Sequence, residues 1–130
     1  MTDDRNKPMG GLTWEESAAV LETNAQLGDA RAQRLLAMRY LRGRGVPKDV
    51  SIAVDWMQLA AQQHFAKAQR GLGELYESGL GVVLDAAIAS HWYRLAALQG
   101  DPVASDHLQR LAQAHTSPEG DSQSTQQGLP

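Results

Sequence analysis

The chain has no cysteine, so neither a disulfide nor a thiolate metal site can form. The redox compartment therefore leaves no trace in the sequence. No apolar run approaches the roughly 20 residues that span a bilayer. The opening segment, Met1–Gly11, is polar and lacks the hydrophobic stretch of a secretory signal. Neither sign of charge dominates. Twelve Lys and Arg face fifteen Asp and Glu, a net charge of −3 with an isoelectric point near 5.7. That balance gives no global drive toward nucleic acid or an anionic membrane. These absences predict a soluble cytoplasmic protein of 130 residues, with one domain and a modest core.

What the chain does have is an echo of itself. Shifted by thirty-six residues, Gly28–Gln63 falls onto His64–Gln99, and seventeen of the thirty-six positions are identical. The matches include Ala32, Gln33, Arg34, Leu36 and Tyr40 against Ala68, Gln69, Arg70, Leu72 and Tyr76. Gly43, Gly45, Val46 and Asp49 meet Gly79, Gly81, Val82 and Asp85, and Trp56 meets Trp92. A period in this range marks a stacked-repeat protein, whose units bury apolar faces only against neighbours.

The residues between the matches spell short helices. Thr13-Trp14-Glu15-Glu16 has capping-box spacing and opens a helix to about Leu27, with Ala18, Leu21 and Ala25 inward and Gly28 as its stop. Asp29 caps Ala30–Leu41, and Asp49 caps a helix to about Gln63 with Ile52, Ala53, Trp56, Leu59 and Ala60 inward. The second copy repeats this over Ala66–Glu77 and Asp85–Gln99. Gly100-Asp101-Pro102 then reads as stop, cap and first-turn proline before a final helix, Pro102–Ala114. Residues 1–12 and 116–130 are too polar and too rich in Gly, Ser, Thr, Gln and Pro to offset their ordering entropy, and are expected to be disordered. The expected architecture is all-α, an α/α superhelix of antiparallel helix pairs over residues 13–115. It comprises repeats 28–63 and 64–99 with capping helices 13–27 and 102–114.

Leu72-Gly73-Glu74-Leu75-Tyr76, Gly79-x-Gly81-Val82, Asp85, Trp92 and Ala96-Ala97 resemble the Sel-like repeat, a branch of the tetratricopeptide-like superhelices. The first copy resembles it through Tyr40, Gly43-x-Gly45-Val46, Asp49, Trp56 and Ala60-Ala61. The resemblance implies an interaction scaffold without catalysis. Three departures stand out: Arg39 where the second copy has Leu75, Ala37 where it has Gly73, and His64-Phe65 where the other junctions read Gly-Asp.

In such superhelices the first helix of each pair lines the concave face. Arg31, Arg34, Met38 and Arg42 then face a partner, followed by Lys67, Arg70, Glu74 and Ser78, and by Val103, Asp106 and Arg110 on the last helix. Gly28–Lys48 holds six basic side chains against one acid, Asp29. Charge runs ordinarily keep helices soluble. The alternative is a stripe for a protein or peptide partner, one with acidic side chains or a terminal carboxylate that arginine grips bidentately. Monomer and weak homodimer through a terminal helix are both compatible with two full units.

Catalysis has little to stand on. His64, His91, His107 and His115 show no zinc-ligand spacing, no serine begins an SxxK, and no GxSxG occurs. No cofactor or metal is expected, and a hydrolase is the disfavoured alternative. Helical repeats can read RNA, but two units and an acidic isoelectric point argue against it.

Overall fold

The computed structural model describes residues 8–115. The disordered ends predicted for 1–12 and 116–130 lie largely outside this range; the described part of the first holds one 3-10 turn, Met9–Gly11. Six α-helices follow: α1 (Trp14–Gln26), α2 (Ala30–Arg42), α3 (Val50–Gln62), α4 (Ala66–Ser78), α5 (Ala86–Leu98) and α6 (Pro102–His115). The first five have thirteen residues each, about 20 Å at 1.5 Å per residue. Helices of that length are marginal alone, so their stability comes from stacking. Each packs on the next in sequence, and α2 also meets α4 across the stack. No helix among the described residues is long and apolar enough to cross a membrane.

The caps are those the sequence announces. Thr13 and Glu16 close a reciprocal capping box on α1. Asp29 accepts from Arg31 and Ala32, Asp49 from Ile52, Asp85 from Ile88, and Asp101 from Ala104. The junction before α4 differs, as its sequence suggests. Phe65 offers no side-chain cap, and His64 alone among the described non-glycine residues holds a positive φ, 65°. Its register partners Gly28 and Gly100 take the same left-handed turn at 98° and 95°.

Alanine dominates the core because the helices sit close. Ala37, Ala53, Ala60 and Ala68 are fully buried with Leu72 and Leu75, and Tyr40, Trp56, Tyr76 and Trp92 fill the spaces around them. One expectation fails here. Ile52 and Leu59 are 37% and 45% exposed, while Val54 and Met57 are buried in their stead. Flanked by α2 and α4, α3 buries an arc of Ala53, Val54, Met57, Ala60 and Ala61, and Ile52 and Leu59 lie at its rim. Identity between copies does not mark burial here: positions 52 and 59 are repeated, whereas Val54 and Met57 correspond in register to Ser90 and Tyr93.

That last difference explains the second departure. A Cβ on Gly73 would sit 2.6–2.7 Å from the ring of Tyr93. Ala37 occupies the same register position opposite the narrower Met57. Glycine thus goes with tyrosine in one copy and alanine with methionine in the other, where Ala37 and Met57 share one buried core cluster.

Two further devices fix the stack. The second loop glycine of each repeat, Gly45 (φ 79°) or Gly81 (φ 77°), lies directly on the preceding odd-numbered helix. A Cβ there would overlap the Trp14 carbonyl oxygen in one case and approach that of Val50 to 2.7 Å in the other. Buried glutamines stitch the opposite end. Gln33 donates to Ala25 O and accepts from Gln63, and Gln69 donates to Ala61 O and accepts from Gln99. Buried amides left unpaired would be costly, so this repeated pattern pins three consecutive helices.

Gly73→Ala should destabilise the fold by about 1–3 kcal/mol through overpacking, and adding Tyr93→Met should recover most of it. Urea unfolding of the two single variants and the double variant measures the coupling; additive losses would refute the pairing. His64→Gly should stabilise by about 0.5–1 kcal/mol in the same assay by relieving the left-handed turn.

Candidate partner-binding groove

Positions three and four apart on a helix point to the same side, and the stripes of α2 and α4, which meet across the stack, line one groove. This groove has a volume of about 390 Å³. Its floor is apolar, with Met38 and Leu41 from α2, Met57 from α3 and Leu75 from α4, and the exposed Leu80 of the following loop lies at its edge. Its walls carry Arg34 and Arg42 on one side and Lys67, Arg70, Glu74 and Ser78 on the other. Arg31 sits beyond the rim, where it shares a shallower hollow with Arg34, Leu35, Phe65 and Lys67. Six of the eight candidate residues thus converge on one groove, and Arg31 adjoins it. Arg110 does not.

The two conserved-register arginines have different fates. Arg70 Nε donates to Asp101 Oδ2 at 3.2 Å. Burial pushes the Asp101 carboxyl up, but the Ala104 N–H and the Arg70 guanidinium outweigh it and hold the group below the usual carboxylate range. Thirty-six residues earlier, the position of Asp101 is Phe65. Arg34 is half-buried, and among the described residues no carboxylate pairs with it. Burial, and then the charge of Arg70, push its guanidinium below the ordinary arginine range, with Glu74 opposing. The uncapped junction and the unpaired arginine are one substitution seen from two sides. The sequence displayed it at His64-Phe65, but only the packing ties it to Arg34.

Between α4 and α6 the corresponding space is filled. His107 Nε2 lies 3.1 Å from Glu74 Oε2, and the His107 ring packs against Tyr93 at a 37° tilt, 4.9 Å between centres. Arg110 donates to Glu77, with Nη2 3.0 Å from Oε1, and the Tyr93 hydroxyl donates to the same oxygen at 2.6 Å. Arg110, chosen from sequence as a partner contact, is therefore a strut between α4 and α6. Glu77 stands where the first copy has Leu41, and His107 where α2 has Leu35. Val103 and Asp106 are exposed on α6 outside the groove. Of the other histidines, His64 turns the α3–α4 junction and His91 packs edge-on against Trp92 at 5.4 Å; the side chain of His115 is outside the described set. Among the described residues no three His, Asp or Glu side chains converge as a metal site.

The Sel1 repeat model matches residues 30–65 and 66–101, two tandem units that cover more than half of the chain. The chain belongs to the Sel1 repeat family. Its units keep the thirty-six-residue period and begin two residues after the division at Gly28 and His64. Solved structures agree. A Sel1 repeat protein from Oxalobacter formigenes is 41% identical over 74% of this chain and 72% of its own, with a TM-score of 0.71. The c5321 protein, a protective antigen of uropathogenic Escherichia coli with an SLR fold, is 30% identical with a TM-score of 0.78 over 79% of this chain. This chain spans only 22% of that antigen's length. Helicobacter pylori cysteine rich protein B, 23% identical with a TM-score of 0.71 over 75% of this chain and 73% of its own, shares the fold. A search of curated proteins found no match. Sel1 repeats are generally protein-interaction repeats, and proteins built from them are typically non-catalytic scaffolds.

The α4–α6 strut predicts a pH dependence. The hydrogen bond from Arg110 comes first among the causes that hold the Glu77 carboxyl below its ordinary range, and Tyr93 reinforces it against burial. A depressed carboxylate contributes stability that is full above its unfolded pKa, about 4.3, and is lost as pH falls through the folded value. Glu77→Gln should therefore flatten the acid limb of the stability curve below about pH 4.3, measured by urea midpoints across pH. An unchanged acid limb would contradict the assignment.

Proposed function

We propose that this Sel1 repeat protein is a non-catalytic scaffold in the cytoplasm, a monomer or weak homodimer, that holds an acidic segment of a partner protein on the concave α2–α4 face. Arg34 carries the reading. It is a desolvated cation whose register twin, Arg70, has a carboxylate that Arg34 lacks among the described residues. A partner aspartate, glutamate or terminal carboxylate would occupy the place that Asp101 takes beside Arg70. The apolar floor of Met38, Leu41 and Leu75 supplies burial for the neighbouring partner side chain. Arg31, Arg42 and Lys67, exposed around the same groove, steer and orient the acidic segment rather than bury it. Nucleic acid is disfavoured, because four cations around one groove beside Glu74 make no phosphate-tracking stripe.

Arg34→Glu combined with Lys67→Glu should weaken binding of an acidic peptide by about 100-fold, from two charge-assisted contacts at about 1.4 kcal/mol each. Fluorescence anisotropy with a labelled Asp/Glu-rich peptide reads this, and unchanged affinity would sink the groove. Phe65→Asp is the subtler probe. It should supply the missing α4 cap and a partner for Arg34 while lowering peptide affinity in the same assay.

A further inference from the structure

The first repeat carries a second cationic cluster on the side of α2 that faces α1, away from the groove. Arg39 Nη1 donates to the Trp14 carbonyl oxygen at 3.3 Å, and Nη2 donates to Ser17 Oγ at 2.6 Å. Its guanidinium carbon lies 4.6 Å from the centre of the Trp14 ring, and that of Arg44 lies 4.9 Å from the same centre. Packing does not require this chemistry. Thirty-six residues on, the register equivalents of Trp14, Arg39 and Arg44 are Val50, Leu75 and Leu80. Leu75 is buried there, in the same fold.

Two like charges over one indole repel, and an anion between them would relieve that repulsion. The ion pairs among the described residues join Arg70, His107 and Arg110 to acids, and none involves Arg39 or Arg44. Glu16 is engaged with the Thr13 backbone in the capping box. Burial, and then the charge of Arg44, push the Arg39 guanidinium below its ordinary range. Arg39 is already oriented by two hydrogen bonds and a ring, so little freedom is lost when it binds. Arg44 is exposed, and its guanidinium makes no hydrogen bond within the described residues, so its fork of N–H donors is open to a ligand.

We propose that Arg39 and Arg44, held on Trp14, form an oxyanion-binding site distinct from the α2–α4 groove, taking a carboxylate or phosphoryl group displayed by a partner protein. Two guanidinium forks on a common platform suit a planar or tetrahedral oxyanion, which accepts parallel N–H bonds from each.

The test follows the arginine Nε–H resonances of the intact protein while inorganic phosphate or acetate replaces chloride at constant ionic strength. Saturating shifts at Arg39 and Arg44 support the site. Saturation by phosphate alone assigns it to phosphoryl groups, and saturation by acetate as well extends it to carboxylates. Arg44→Leu, which installs the residue of the second copy and spares the Arg39 hydrogen bonds, should weaken the response about tenfold. Arg34→Glu should leave it unchanged, which separates this site from the groove. Shifts that never saturate, or that survive Arg44→Leu undiminished, would overturn the proposal.

Discussion

The stack depends on one close approach, repeated once. Gly45 rests on the backbone at Trp14, and Gly81 on the backbone at Val50, thirty-six residues further along. Each loop glycine has a positive φ and no room for a Cβ, so two separate physical demands select the same residue. Seating the loop fixes where each even-numbered helix ends relative to the odd-numbered helix before it. The glutamine pairs then fix the other end, from Ala25 through Gln33 to Gln63 and from Ala61 through Gln69 to Gln99. With both ends set, alanine-lined helices of thirteen residues stay close enough for their small side chains to make a core.

The frame was plain in the amino-acid order because its parts are local. A capping aspartate, a stop glycine and a run of alanines each act within a few residues, and the predicted helices at α1 through α6 end within about two residues of the observed ones. Long-range partnerships were not legible. Gln33 and Gln63 were visibly repeated, but nothing local shows that they bond to each other across thirty residues. Ile52 and Leu59 read as inward because repetition and hydrophobicity both pointed that way, while flanking helices chose Val54 and Met57. Arg110 read as a partner contact because Glu77 sits on another helix.

The same geometry is used in two ways along one face. Where α4 meets α6, Glu74, Glu77, His107 and Arg110 close the interhelical space with charge. Where α2 meets α4, Met38 and Leu41 leave an apolar floor open beneath cations. A single replacement at the intervening junction, Phe65 in the place of Asp101, removes a cap and, among the described residues, leaves Arg34 without a carboxylate. Positions identical between the copies build the helices and their spacing. Positions that differ decide which interface is a strut and which is a groove.

The most direct test of this account is a structure of the protein bound to an acidic peptide. The account predicts a peptide carboxylate within about 3 Å of the Arg34 guanidinium, between α2 and α4, in the place that Asp101 takes beside Arg70. A peptide seated instead across α4 and α6, or one that leaves Arg34 without an anion, would contradict it.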